Sequence, residues 1–169
     1  LSCVKHIPCD EIKIYVGGIA EKKPENRFVH HWTFNPESTL ETYRGKVYAI
    51  QNSKLVTREA LEGFVETNIS LRCFEAFFTN CGNEEVMRVV AQASNIKKCE
   101  IRTLRHIGHW KELLFLKEIG FLEDSLFPVI VRALTESIPF AEKDVTFLEM
   151  RLFREDRKIG LIEWAEHGE

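Results

Sequence analysis

No stretch of the 169-residue chain approaches the roughly 20 consecutive apolar residues that cross a bilayer, so no helical membrane span is expected. The start is not of the basic-then-apolar secretory type. Leu1 stands where an initiating Met is usual, which points to a fragment or a processed product. An excess of positive charge is also missing. Lys and Arg total 23 against 26 Asp and Glu, for a net charge of −3, which disfavours a nucleic-acid binder working by bulk charge. The cysteines lack an even framework. There are five, Cys3, Cys9, Cys73, Cys81 and Cys99, and an odd, irregular set points to reduced thiols in a cytoplasmic or nuclear setting. Cys73, Cys81 and Cys99 lie in or beside apolar phrases and read as small buried residues. A complete metal set is missing too. Cys3-x-x-His6-x-x-Cys9 offers three donors where a structural zinc site takes four, so it reads as a coincidental terminal cluster. No phosphate loop or nucleophile–base pair is evident, so no cofactor and no catalytic residue is expected.

What the chain does contain suits one folded domain. Apolar residues make up 44% and charged residues 29%, ordinary for a globular protein of this length. A short apolar phrase recurs along it: Leu71-x-x-Phe74-x-Ala76, Ile96-x-x-Cys99-x-Ile101, Leu116-x-x-Ile119-x-Phe121 and Val145-x-x-Leu148-x-Met150, with a looser Tyr48-x-Ile50 upstream. Stacked strand–helix units produce such a repeat. The expected fold is therefore α/β with strand–helix repeats over 46–153. A strand and irregular segment over 1–45 precede them, and a C-terminal cap over 154–169 follows. The alternative is an α+β sandwich with an antiparallel sheet.

Local signals fill in the elements. Residues 12–19 alternate and are rich in β-branched and aromatic types, which predicts a strand ended by Gly17-Gly18. Leu61, Phe64 and Val65 behind Thr57 predict a helix over 57–67. Asn83 with Glu84 and Glu85 marks the start of a helix over 83–94, the acids serving as helix-end charges. A helix over 124–137 is expected with Asp124 or Ser125 as cap and Pro128 in its first turn. Residues 145–153 alternate as a strand.

The recurring phrase resembles irregular leucine-rich repeats, such as those of F-box-type adaptors and intracellular immune receptors. That resemblance implies parallel strands side by side and a non-enzymatic protein-interaction module, a substrate-recognition or adaptor domain. Strand alternation then assigns Gln51, Glu75, Phe77, Glu100, Arg102, Glu149 and Arg151 to an exposed, partner-binding sheet face. Another protein is the expected partner.

A second resemblance competes. Ile14-Tyr15-Val16-Gly17-Gly18-Ile19 is similar to the first signature strand of an RNA-recognition motif, and Arg44-Gly45-Lys46-Val47-Tyr48-Ala49-Ile50-Gln51 to part of the second. It implies single-stranded RNA as partner, with Tyr15 and Tyr48 stacking on bases and Arg44 beside them.

The histidines carry little signal in the sequence. His30 and His31 would point to opposite faces of a strand, a poor arrangement for one metal. His106-Ile107-Gly108-His109 spells the signature of class I aminoacyl-tRNA synthetases, but outside its structural context, and is set aside. His30, His106, His109 and Glu112 are the one group to weigh for an enzyme, and their spacing fits no acid–base scheme.

Overall fold

The computed structural model describes residues 8–92 and 95–168. In chain order these form β1 (Glu11–Ala20), α1 (Pro36–Glu41), β2 (Lys46–Gln51), β3 (Lys54–Glu59), β4 (Val65–Ile69), β5 (Arg72–Phe77), α2 (Glu84–Ala91), β6 (Lys98–His106), α3 (His109–Glu118), α4 (Phe127–Ser137), β7 (Asp144–Arg154) and β8 (Arg157–His167). Cys3 and His6 of the terminal cluster lie outside the described residues.

The eight strands make one sheet, ordered β3-β2-β6-β1-β7-β8. β6 is long enough to serve two partners on one edge. Its first residues pair with β2 and its last with β5, which also carries β4. Of the strand pairs, β1 with β6 is parallel and the others are antiparallel. The fold is thus mixed α/β with a mostly antiparallel sheet, and among the described residues no leucine-rich array of parallel strands forms.

The reason for the misleading repeat is visible in two places. Leu116-x-x-Ile119-x-Phe121 straddles the end of α3, where Leu113 and Leu116 face the core at helical spacing. The 57–67 segment is not a helix. Thr57 lies in β3 and Val65 in β4, with Leu61 and Gly63 between them at positive φ, 72° and 68°. Leu61 meets the helical core from that loop.

Other expectations fared better. β1, α2 and β7 form where the patterns place them, and Pro128 sits in the first turn of α4. The caps differ. Asn83 precedes α2, but its side chain grips the backbone of Tyr48, donating to the carbonyl at 2.9 Å. Leu126, not Asp124 or Ser125, precedes α4. Cys99 is buried as expected, but Cys73 and Cys81 are exposed.

The assigned outward face is partly an inward one. Gln51 is exposed, and Glu100, Arg102 and Arg151 are half-buried, but Glu75, Phe77 and Glu149 are buried. The sheet is covered on both sides, so alternation alone did not tell core from solvent. Phe77 packs with Trp32, Leu113 and Phe127 from the helical layer. Glu149 lies between Arg151, which donates to it, and the Glu163 carboxyl. Tyr15 is buried beside Phe74, Leu104 and Phe147, under the Arg151 guanidinium. Tyr48 is half-buried, and β6 separates its strand from β1. Arg44 lies over the Phe127 ring and pairs with Glu41 and Asp124.

β1 runs through Gly17 and Gly18 rather than ending there. A Cβ on Gly17 would sit 2.8 Å from the Leu104 carbonyl oxygen of β6, a backbone atom that the sheet holds in place. A Cβ on Gly18 would clash with the Phe34 ring alone, which is exposed and free to swing, and would touch the Thr146 hydroxyl at an ordinary 3.5 Å. Gly17→Ala is therefore expected to cost about 1–3 kcal/mol in urea unfolding, and Gly18→Ala clearly less.

Candidate functional site

Where β1, β6 and the α1 region meet, they leave a cleft of about 350 Å³. Its floor is the stretch of β1 that lacks side chains, Gly17 and Gly18, with Thr103 and Arg105 of β6 beside it. Residues two apart on a strand share a face, so Thr103 and Arg105 arrive together. Thr103 is fixed by a 2.6 Å hydroxyl–hydroxyl bond to Thr79. One wall comes from α1 and its end, with Ser38, Thr39 and Thr42. That short helix starts where it does because Pro36 opens it and the Asn35 side chain accepts the Ser38 N–H at 2.9 Å. His30, Thr33 and Phe34 close the cleft from the loop ahead of α1. This loop forms no strand or helix of its own. Val29 has φ 52°, and a single bridge joins Trp32 to Phe140.

Arg105 stands out by what it lacks. It is only 7% exposed. Its Nε donates to the Tyr43 hydroxyl at 2.8 Å and its Nη1 to the Leu104 carbonyl at 2.8 Å. Among the described residues it forms no ion pair with a carboxylate. Glu75, opposite Arg105 in the β5–β6 ladder, is occupied elsewhere. Its carboxylate accepts the N–H groups of Gly108, at 2.9 Å, and Trp110, at the start of α3. That is where the helix leaves unpaired donors and positive potential. Burial nonetheless pushes the Glu75 carboxyl up, against the pull of those N–H bonds.

The bonds beyond Arg105 form a directed chain. His109 Nδ1 lies 2.7 Å from the Phe28 carbonyl oxygen, which only accepts, so Nδ1 carries the proton. Nε2 is then bare, and the Tyr43 hydroxyl donates to it at 3.3 Å. The Tyr43 oxygen in turn accepts from Arg105. The three side chains, Arg105, Tyr43 and His109, are buried. Burial, then the Arg105 charge, pushes His109 down to about 3, so it is neutral. Burial also pushes the Tyr43 phenol up.

His30 stacks on His109, with ring centroids 4.8 Å apart, and meets Trp32 edge-on. Its Nε2 is buried and has no hydrogen-bond partner among the described residues. Burial, and after it the neighbouring His109 and Arg105, holds its pKa well below the ordinary histidine value. Among the described residues the cleft thus holds a buried cation without a carboxylate, with hydroxyls around it, while the unpartnered His30 Nε2 and Trp32 Nε1 lie sealed from solvent. Such groups are normally satisfied, and exceptions concentrate where a ligand completes the set.

His30 and His109, weighed as weak enzyme candidates, do come together. His106 faces away, bonded to the Ala20 carbonyl at 2.8 Å, and Glu112 pairs with Arg27 at the surface. Arg105 and Tyr43 were not singled out from sequence. Among the described residues no cluster suited to a metal ion forms.

No protein-family model matches the chain, and no curated protein sequence matches it. A solved structure does. Apo histidine-tagged saccharopine dehydrogenase (L-Glu forming) from Saccharomyces cerevisiae superposes with a TM-score of 0.69 at 10% identity. The match covers 95% of this chain and 54% of that one. The likeness is one of fold. This chain spans about half the length of the protein it resembles.

Proposed function

We propose that this chain is the substrate-holding part of a dehydrogenase-like protein, with the cleft over Gly17 and Gly18 taking a small carboxylate-bearing substrate on Arg105. The carrying observation is the buried guanidinium, which has no carboxylate partner among the described residues. A charge taken out of water costs several kcal/mol unless it is paired, and a bidentate carboxylate is the partner its planar fork fits best. The fold likeness supports the same reading. The yeast enzyme is described as L-Glu forming, and glutamate is a dicarboxylate. The cleft's volume suits a molecule of that order rather than a polymer.

The test uses glutarate, a dicarboxylate of glutamate's length without its amino group. Titration calorimetry is expected to show saturable binding. Location is read from Cys81, which lines the cleft and is exposed, although burial pushes its thiol up and slows its reaction. Bound glutarate is expected to protect Cys81 from alkylation while leaving Cys73, on β5, at its free rate. Absence of saturable binding, or equal protection of both thiols, would overturn the proposal.

A further inference from the structure

The sheet ends differently on its two sides. β3, at one end, is six residues long, and Lys54, Arg58 and Glu59 are three of them. Short, charged edges resist further pairing. β8, at the other end, runs for 11 residues without a Pro. It shows Ile159, Leu161, Ile162 and Trp164 to solvent, each between 41% and 49% exposed. A long apolar edge is a template for another strand.

The backbone tells which groups are free. The Gly168 N–H bonds to the Asp144 carbonyl at 3.0 Å, and the β7–β8 register carries that alternation back along the strand. Even-numbered residues from Gly160 onward therefore bond to β7, and the N–H and C=O groups of Leu161, Glu163 and Ala165 point away from it. Among the described residues no strand pairs with this outer edge. The charges tell what fits it. β8 starts basic, with Arg157 and Lys158, and ends acidic, with Glu163 and Glu166. Arg157, Lys158 and Glu166 form no ion pair among the described residues. A second β8 laid parallel would set like charges together. Laid antiparallel, it sets the basic start against the acidic end twice.

We infer that two copies of this chain pair through β8, antiparallel about a two-fold axis at Ile162. Such an interface uses one patch on both copies and closes on itself. Ile162 meets its own equivalent across a non-hydrogen-bonded pair, where side chains lie closest. Leu161 and Glu163 exchange backbone bonds with Glu163 and Leu161 of the second copy. The Trp164 ring lies over Gly160 of the second copy, which has no side chain to oppose it. Neighbouring registers fit worse. A two-fold at Glu163 sets two carboxylates face to face, and one at Leu161 brings Glu166 against the acidic turn, Glu155 and Asp156. An edge pairing buries less than a standard interface, so the expected dimer is weak, with a Kd on the order of 10 μM.

Sedimentation velocity of the parent chain from about 1 to 300 μM is expected to show a monomer–dimer equilibrium. Ile162→Lys sets two like charges on the axis and is expected to weaken the dimer at least about tenfold. Arg157→Glu with Lys158→Glu is expected to weaken it similarly, and adding Glu163→Lys with Glu166→Lys to restore it. Amide hydrogen exchange reads the same edge without a variant. The N–H groups of Leu161, Glu163 and Ala165 are expected to exchange more slowly at high chain concentration than at low, while those of β3 do not change. A monomer throughout the range, growth beyond a dimer, a dimer indifferent to Ile162→Lys, or exchange at Leu161, Glu163 and Ala165 that ignores concentration would overturn the inference.

Discussion

Arg105→Met is expected to abolish glutarate binding, by about a hundredfold or more, and to leave the chain as stable as before or more stable by about 1–2 kcal/mol. The two effects have one cause. In the free chain the guanidinium is 7% exposed and unpaired by any described carboxylate. Replacing buried charge by a well-packed apolar side chain of similar length is often neutral or stabilising. Against that stands the loss of two hydrogen bonds, to the Tyr43 hydroxyl and the Leu104 carbonyl, at about 1 kcal/mol each. Tyr43 keeps its bond to His109, so the chain of buried groups shortens without collapsing. Calorimetry and urea unfolding on the same preparation read both quantities. If Arg105 were a structural residue, the outcome would reverse, with stability down by several kcal/mol and binding unaffected. Sites that are strained in the free state and completed by ligand show this opposition of stability and function.

The parts of the fold that were legible are those where one local signal dominated. β1 and β7 alternate over eight residues or more, and acidic residues mark the start of α2. The illegible parts are those where spacing is shared by two structures. Leu61, Phe64 and Val65 fit a helix face, but Leu61 is held at φ 72° in a loop by contacts distant in sequence. The Leu116 phrase fits a strand and a helix end equally well, and the α3 capping by Glu75, from β5, settles it. The site was harder still. Arg105 sits among Arg102, Thr103 and His106, and nothing in that string says which cation is buried. Arg102 resolves its own position by bonding Glu100 and the Gly63 carbonyl, at 2.7 Å for the latter. Arg105 comes from β6, His109 from the start of α3, Tyr43 from the link between α1 and β2, and His30 from the loop ahead of α1, so the four meet only in the folded chain. The one usable hint was the pair Gly17-Gly18 inside an otherwise bulky strand, which marks a close approach of backbone or ligand.

The histidine pair makes a second strong expectation: the free chain should lose stability steeply in mild acid. His109 is held at about 3 and His30 well below the ordinary 6.5, chiefly by burial, with Arg105 adding to both. His106 is lowered in the same direction. In the unfolded chain these rings take up protons as pH falls through about 6.5, while in the folded chain they remain neutral. The unfolded state therefore binds more protons over this window, and stability falls with pH by up to about 1.4 kcal/mol per unit for each ring. For His30 and His109 together, from pH 6.5 to about 5, the loss is at most roughly 3 kcal/mol. Buried Glu75 and Glu149, both raised above the ordinary carboxyl value, act oppositely. They take up protons in the folded state first and stabilise it as pH falls through their folded values. The double variant His30→Phe, His109→Gln is expected to flatten the slope, because Gln can still donate to the Phe28 carbonyl and accept from Tyr43. Urea unfolding at about pH 7, 6 and 5 measures it, and an unchanged slope in the double variant would remove the histidines as the cause. Bound glutarate should act in the same sense as the variant. An anion on Arg105 cancels part of the charge that keeps both rings neutral, lets the folded state accept a proton, and so reduces the penalty that the empty cleft places on the fold.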